Sequence, residues 1–194
     1  MRLVVGLGNP GPDYAGTRHN VGFRVVERLA RRWAATAGDL RPTYRSFRGE
    51  HRGIEVALLE PLTYMNVSGD ALKEWRERHG VEPGDLLVIA DDVYLPVGSV
   101  RLKVRGSSGG RRGLDSIEAA IGTRDYARLR VGVGTVDASE LKQHVLAEPA
   151  GEERVTLDQA ADRAADAVEC WVVDGPAAAM NRFNRKVRKE VPES

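Results

Sequence analysis

One histidine and one aspartate have the residue types and surroundings needed to activate a water molecule. His19 stands in the string Thr17-Arg18-His19-Asn20, just before a helix pattern, and Asp91 ends an apolar strand pattern. Open α/β sheets place their sites at the carboxyl ends of strands, where Asp91 can accept a hydrogen bond from one ring nitrogen. The other nitrogen can then take a proton from water. The alternative is a surface histidine beside a helix cap supplied by Thr17 or Asn20.

Two asparagines add possible donors for an oxygen that gains negative charge. Asn9 follows the first strand pattern, and Asn66 lies in the strand-to-helix connection 61–69. A side-chain amide placed there can stabilise an oxyanion. Asn66 has the alternative role of a helix cap. Together with His19 and Asp91, the two amides form a candidate hydrolytic site.

Other chemistries receive less support from the sequence. Residues 6–11 match G-x-G-x-x-G, but Pro10, Gly11 and Pro12 keep the chain in turns where a dinucleotide-binding helix would begin. Four dispersed histidines and one cysteine predict no metal site, and Cys170 has the helical spacing of a buried thiol. A triad that uses Ser68 stays open, although no G-x-S-x-G string surrounds this serine.

Short apolar runs alternate with helical patterns along the chain, which predicts a single α/β domain over residues 1–194. We expect a sandwich in which helices flank both faces of a twisted, mixed and mostly parallel β-sheet. The helix predicted from Val21 to Ala37 has Gly38 as its stop signal. The other predicted helices cover residues 68–79, 114–121 and 154–173, with a further segment opening at Pro176. Strands are predicted at residues 3–7, 53–59, 85–90, 100–104 and 128–133.

Charge is balanced overall and uneven locally. The formal net charge is +1, but eight Arg and Lys face three Asp and Glu between Arg101 and Arg130. Further bases close the chain at Arg182, Arg185, Lys186, Arg188 and Lys189, and acids gather between residues 152 and 169. A basic face of this kind suits an anionic polymer, and solvated helix faces are the alternative. The low cysteine content and the lack of a long apolar run predict a cytoplasmic protein without a membrane segment.

Several strings together resemble one known family, the bacterial peptidyl-tRNA hydrolases. They are V-V-G-L-G-N-P-G at 4–11, Tyr14 with T-R-H-N-V-G at 17–22, P-L-T-Y-M-N-V-S-G at 61–69, Asp91-Asp92 before Leu95-Pro96, and R-L-R-V-G-V-G at 128–134. Their order and spacing cover the chain from Leu3 to about Asn181. The resemblance implies hydrolysis of the ester that joins a peptide to the 3′-terminal ribose of tRNA, during translation and ribosome rescue. It implies no cofactor and no metal, and we expect a monomer.

The same resemblance implies roles for individual residues. His19 would be the general base on water, Asp91 would hold its imidazole, and Asn9 and Asn66 would position the ester and stabilise the oxyanion. Residues that would line the site against the terminal CCA nucleotides and the peptide are Tyr14, Tyr64 and Met65. Those that would grip acceptor-stem phosphates are Lys103 and Arg130.

The chain departs from the family in one Gly-rich loop. The family usually reads G-G-H-N-G-L-K-S/D-I, whereas this chain has Arg111 for the histidine, Arg112 for the asparagine and Asp115 for the base. Arginine donates hydrogen bonds but accepts none, and it reaches further than a carboxamide. We hypothesise that Arg112 keeps a donor role toward the RNA end and that Arg111 adds attraction for phosphate. The altered loop also motivates a second hypothesis, an RNA-binding module with little hydrolysis.

Overall fold

The computed structural model describes residues 1–185, and its strands form one seven-stranded sheet. The strands are β1 (Arg2–Gly6), β2 (Thr36–Leu40), β3 (Tyr44–His51), β4 (Ile54–Pro61), β5 (Leu86–Asp92), β6 (Val100–Lys103) and β7 (Ala127–Gly132). The α-helices are α1 (Pro12–Ala15), α2 (Val21–Arg32), α3 (Ser68–His79), α4 (Arg112–Ile121), α5 (Leu141–Val145) and α6 (Gly151–Phe183). Within this described part, no helix is both long enough and apolar enough to cross a membrane.

The sheet is mixed and mostly parallel, which confirms the predicted class. Its strand order is β2-β3-β4-β1-β5-β7-β6. The four central strands β4, β1, β5 and β7 pair in parallel, while β3 and β6 run antiparallel to their neighbours. The central strands are apolar on both faces, as expected for parallel strands that are covered on both sides.

Helices cover both faces of the sheet, as predicted. On one face, α2 and α6 pack against residues such as Val4 and Leu58 of the central strands. On the other face, α3 and α4 pack against the alternate residues, including Leu3 and Leu59. The alternation follows from the two-residue period of a strand.

The parallel register brings three connecting loops to one edge of the sheet. Val5 of β1 pairs with Leu59 of β4, and Gly6 pairs with Ile89 of β5. The segments after β1, β4 and β5 therefore leave the sheet side by side at the carboxyl ends of the strands, where α/β proteins place their sites. The segments after β1 and β4 carry the predicted residues Asn9 and Asn66, and Asp91 lies at the end of β5 itself.

The predicted helix from Val21 to Ala37 is too long, and its proposed stop at Gly38 is wrong. Helix α2 ends at Arg32, Ala34 takes a positive φ of 47°, and residues 36–40 form strand β2. Strand β2 pairs with β3, and neither of these two strands is predicted from the sequence. The apolar residues at Trp33 and Ala37 extend the helical spacing by coincidence, because pairing with β3 decides the conformation after the turn.

Helix α6 breaks at Gly175, directly before Pro176, in agreement with the predicted boundary. Gly175 has φ 83° and ψ 176°, outside the helical region. Most of the clustered acids pair along α6 with arginines of α2; Arg32, for example, lies 2.8 Å from Asp166. Lys186, Arg188 and Lys189 lie outside the described residues.

Helix α2 approaches β1 so closely that only glycine fits at position 22. A Cβ atom on Gly22 would lie 2.5 Å from the backbone nitrogen of Leu7 and 2.8 Å from the carbonyl of Ile89. Because α2 begins two residues after His19, this contact also sets the distance between His19 and the strand ends.

We expect Gly22→Ala to destabilise the fold by about 1–3 kcal/mol, because the added methyl group overpacks a backbone contact. Urea denaturation measures the change in the free energy of unfolding. Gly84→Ala is the matched control, since a Cβ atom there meets nothing within 4 Å. Equal stabilities of the two variants would contradict the close approach of α2 to β1.

Candidate active site

A cavity of about 670 Å³ opens at the carboxyl ends of β1, β4 and β5. It contains all four predicted catalytic residues and four of the predicted binding residues. Its predicted lining residues are Asn9, His19, Tyr64, Met65, Asn66, Asp91, Arg111 and Arg112. The other lining residues were not predicted from the sequence as part of the site; they include Leu7, Val93, Leu114, Leu141, Lys142, Val145 and Leu146.

His19 and Asp91 form a direct hydrogen bond. His19 lies in a 3-10 turn, residues Arg18–Asn20, and its Nδ1 lies 2.8 Å from Oδ2 of Asp91. The Asp91 side chain is 8% exposed and that of His19 is 23% exposed. A carboxylate only accepts, so Nδ1 donates to it and Nε2 of the neutral ring carries a lone pair. Nε2 makes no hydrogen bond to residues 1–185 and is available to a water molecule in the cavity.

The Asn9 side chain is held in one orientation. Its Oδ1 accepts a hydrogen bond from the backbone nitrogen of Met65 at 2.8 Å, and the residue is buried. Because the oxygen is occupied, the Nδ2 group is the part of this amide that remains to donate into the cavity.

Asn20 holds the backbone of Asn9 through two hydrogen bonds. Its Oδ1 accepts from the Asn9 nitrogen and its Nδ2 donates to the Asn9 carbonyl, both at 2.9 Å. Neither Asn20 nor Thr17 caps α2 with its side chain, and Thr17 Oγ1 donates to the Tyr14 carbonyl at 2.8 Å. The sequence indicates only a capping role for Asn20, because a bond between residues eleven apart leaves no local pattern.

The connection between β4 and α3 places Tyr64, Met65 and Asn66 at the cavity. Asn66 is exposed and does not cap α3, which removes the alternative role considered for it. Ser68 is wholly buried, and its hydroxyl donates to the Met65 carbonyl at 2.8 Å. Ser68 therefore cannot serve as the nucleophile of a triad with His19.

Two tyrosines stand at the mouth of the site. Tyr64 is 61% exposed. Tyr14 does not line the cavity, but its ring meets Tyr64 edge to face with 6.5 Å between centroids. The exposed face of Tyr64 is suited to stack on a nucleobase.

The two arginines of the Gly-rich loop have different surroundings. Arg112 is the first residue of α4, is exposed, and makes no side-chain hydrogen bond to residues 1–185. Arg111 is largely buried, donates to Oδ1 of Asp92, and donates from Nη1 to the Ser108 carbonyl at 3.0 Å. A cation at a helix N-terminus is disfavoured by the helix dipole, so Arg112 gains nothing there from α4 itself.

Lys103 and Arg130 lie outside the cavity wall, on one face of the neighbouring strands β6 and β7. Arg101 pairs with Arg130 and Lys103 with Arg128, which makes Lys103 and Arg130 diagonal neighbours. Arg130 Nη1 lies 3.1 Å from Oδ2 of Asp92, and burial lowers the pKa of Arg130 while Asp92 opposes this effect.

Helix α5 covers one side of the cavity, where Leu141, Lys142 and Val145 line the wall. Arg18 anchors this cover: Nη1 donates to the carbonyls of His144 and Ala147 at 3.1 and 3.0 Å. The other edge of the Arg18 guanidinium contacts both oxygens of Glu153, and these bonds hold the pKa of Glu153 below its usual range. The residue before His19 therefore connects the turn that carries His19 to the cover.

Among residues 1–185, no three His, Cys, Asp or Glu side chains form a group that could hold a metal ion.

We expect Asn20→Ala to destabilise the protein by about 2–3 kcal/mol, because it leaves two buried backbone groups of Asn9 unpaired. Chemical denaturation measures the effect. Thr17→Val is the control: Thr17 is as deeply buried as Asn20 but makes one side-chain bond, so we expect a loss near 1 kcal/mol. A smaller loss for Asn20→Ala than for Thr17→Val would contradict the role given to Asn20.

Comparison with known proteins identifies the family of this chain. A family model described as peptidyl-tRNA hydrolase matches residues 3–191. The peptidyl-tRNA hydrolase of Chloroflexus aggregans is 46% identical over 189 residues, which are 95% of this chain and 99% of that protein. The peptidyl-tRNA hydrolase of Dehalococcoides mccartyi is 40% identical over 188 residues, 95% of this chain and 100% of the relative.

A solved structure of peptidyl-tRNA hydrolase from Acinetobacter baumannii has the same fold. It aligns with a TM-score of 0.88 at 37% identity and covers 95% of this chain and 94% of that one. The chain therefore belongs to the peptidyl-tRNA hydrolase family of ester hydrolases.

Proposed function

We propose that this protein hydrolyses the ester between a peptide and the 3′-terminal ribose of tRNA, with His19 as the general base. The observation that carries the proposal is the bond from His19 Nδ1 to Asp91, which leaves Nε2 available in a cavity that also contains two side-chain amides. A water molecule beside Nε2 would be positioned for attack on an ester carbonyl.

The proposed reaction proceeds through a tetrahedral intermediate. The water oxygen attacks the carbonyl carbon while Nε2 of His19 takes a proton, and Asp91 stabilises the imidazolium that forms. The oxyanion accepts hydrogen bonds from Nδ2 of Asn9 and from the Asn66 amide. The carbon–oxygen bond to the ribose then breaks, and the leaving ribose oxygen takes the proton from His19. The products are free tRNA and a peptide with a new carboxyl group.

The surroundings of the cavity suit an RNA end. Tyr64, supported by Tyr14, offers an aromatic face to a terminal base, and Arg112 offers a donor without an acidic partner in residues 1–185. Met65 contributes an apolar wall on the same side. Lys103 and Arg130 lie beyond the cavity and would contact acceptor-stem phosphates, which position an RNA without reading its sequence.

We expect His19→Ala to lower the rate of peptide release from N-blocked aminoacyl-tRNA by at least ~10²-fold, since general base catalysis typically contributes that much. The control is His79→Ala. His79 also pairs with an aspartate, Asp39 at 2.7 Å, but lies outside the cavity. A rate for His19→Ala equal to that of the wild type would remove His19 from the mechanism. Tight binding of tRNA by a wild type that releases no peptide would identify an RNA-binding module instead.

We expect Arg112→Ala to raise KM about ten-fold and to change kcat little, because it removes a charged donor to the RNA end rather than to the reacting atoms. Steady-state kinetics separates the two parameters. Arg105→Ala, which removes an exposed arginine before the same helix, is the control. The remaining affinity should still fall steeply with salt, because Lys103 and Arg130 would release counterions from phosphates. A change in kcat alone, or affinity independent of salt, would contradict these roles.

A further inference from the structure

The departures in the Gly-rich loop, residues 106–112, form a connected set of contacts. We propose that Arg111 is a positioning residue that fastens this loop to Asp92 and so holds Arg112 at the cavity before RNA binds. The inference rests on the proposed function for its consequence in catalysis, but its structural part can be tested without substrate.

Arg111 uses its guanidinium to join three segments. One edge donates to Oδ1 of Asp92 at the end of β5, and Nη1 donates to the Ser108 carbonyl within the loop at 3.0 Å. The group also lies 5.5 Å from the centre of the Tyr94 ring, a distance that permits a cation–π contact. Only 17% of the Arg111 side chain is exposed. The two hydrogen bonds use one N–H of each Nη group, two of the five donors of the guanidinium.

Asp92 makes a strong anchor because it is a buried carboxylate. It is 1% exposed, and a buried charge of this kind requires cationic and hydrogen-bonding partners. Arg130 contacts its second oxygen at 3.1 Å, and the backbone nitrogen of Tyr94 donates to its first at 2.9 Å. Asp92 also follows Asp91, so the anchor belongs to the strand end that orients His19.

A second departure from the family, Asp115, takes part in the hydrogen bonds that order the loop. The Ser108 hydroxyl donates to Asp115, which replaces the family's base, and the Gly110 nitrogen lies 3.3 Å from the same hydroxyl. Gly109 and Gly110 have φ of 67° and 74°, values that favour glycine and allow the tight path between these bonds. Arg111 and Asp115 thus both bind Ser108: Arg111 donates to its carbonyl, and Asp115 accepts from its hydroxyl.

A fastened loop would lower the cost of binding. Arg112 follows Arg111 directly, so the bond to Asp92 limits the positions that the Arg112 backbone can take. Ordering a loop during association consumes part of the binding free energy, and a loop that is already ordered avoids this loss. The proposal therefore gives Arg111 an effect on KM that does not depend on its charge toward phosphate.

Hydrogen–deuterium exchange on the free protein tests the structural part. We expect Arg111→Gln to speed the exchange of amides in residues 106–112 by at least ~10-fold, because local opening becomes easier. Arg105→Gln is the matched control, since it removes the same charge from the same connection but makes no side-chain bond to residues 1–185. Arg111→Lys keeps the charge and one contact to Asp92, and should restore part of the protection.

Kinetics at low and high salt tests the functional part. We expect the rise in KM for Arg111→Gln to persist at high salt, where attraction between exposed charges is screened, with kcat close to that of the wild type. If Arg111→Gln and Arg105→Gln exchange alike, Arg111 does not fasten the loop and the proposal is wrong. If the KM effect of Arg111→Gln disappears at high salt, Arg111 acts through phosphate attraction and the proposal is also wrong. Failure of the proposed function would look different, because the wild type would then release no peptide while the difference in exchange remained.

Discussion

The hydrogen bond between His19 and Asp91 is the interaction on which the rest of the site depends. It selects the tautomer in which Nε2 can accept a proton. It also requires the end of β5 and the turn before α2 to lie close enough for Nδ1 of His19 to stand 2.8 Å from Oδ2 of Asp91. The parallel pairing of β1 with β5 positions the end of β5 that carries Asp91. The close approach of Gly22 to Leu7 positions the turn that carries His19, because it packs α2 against the strands.

The Asn9 amide, the proposed oxyanion donor, is oriented by hydrogen bonds from neighbouring residues. Met65 occupies the Asn9 oxygen, and Asn20 occupies the Asn9 backbone, so the Nδ2 group alone remains available. In the proposed mechanism, a donor that is already oriented needs no rearrangement when charge develops on the substrate.

The sequence predicts those features that depend on local patterns. Asn9, Asn66 and Asp91 each follow an apolar strand, and the parallel sheet then requires them to share an edge. The double bond of Asn20 to Asn9 and the anchoring of α5 by Arg18 join distant segments, so no spacing along the chain reveals them. Strand β2 was missed because Trp33 and Ala37 continue the helical spacing beyond the turn at Ala34. The contact between Arg111 and the buried Asp92 was equally hidden, because it joins residues nineteen positions apart.

The proposed catalysis requires that the neutral His19 ring carry its proton on Nδ1 and not on Nε2. Nitrogen-15 NMR of histidine-labelled protein, recorded at a pH where the ring is neutral, distinguishes a protonated Nδ1 from a protonated Nε2. The account predicts that the His19 signal shows the proton on Nδ1 and that Asp91→Ala abolishes this preference. A neutral His19 ring with its proton on Nε2 in the wild type would contradict the account, because that ring could not take a proton from water at the cavity.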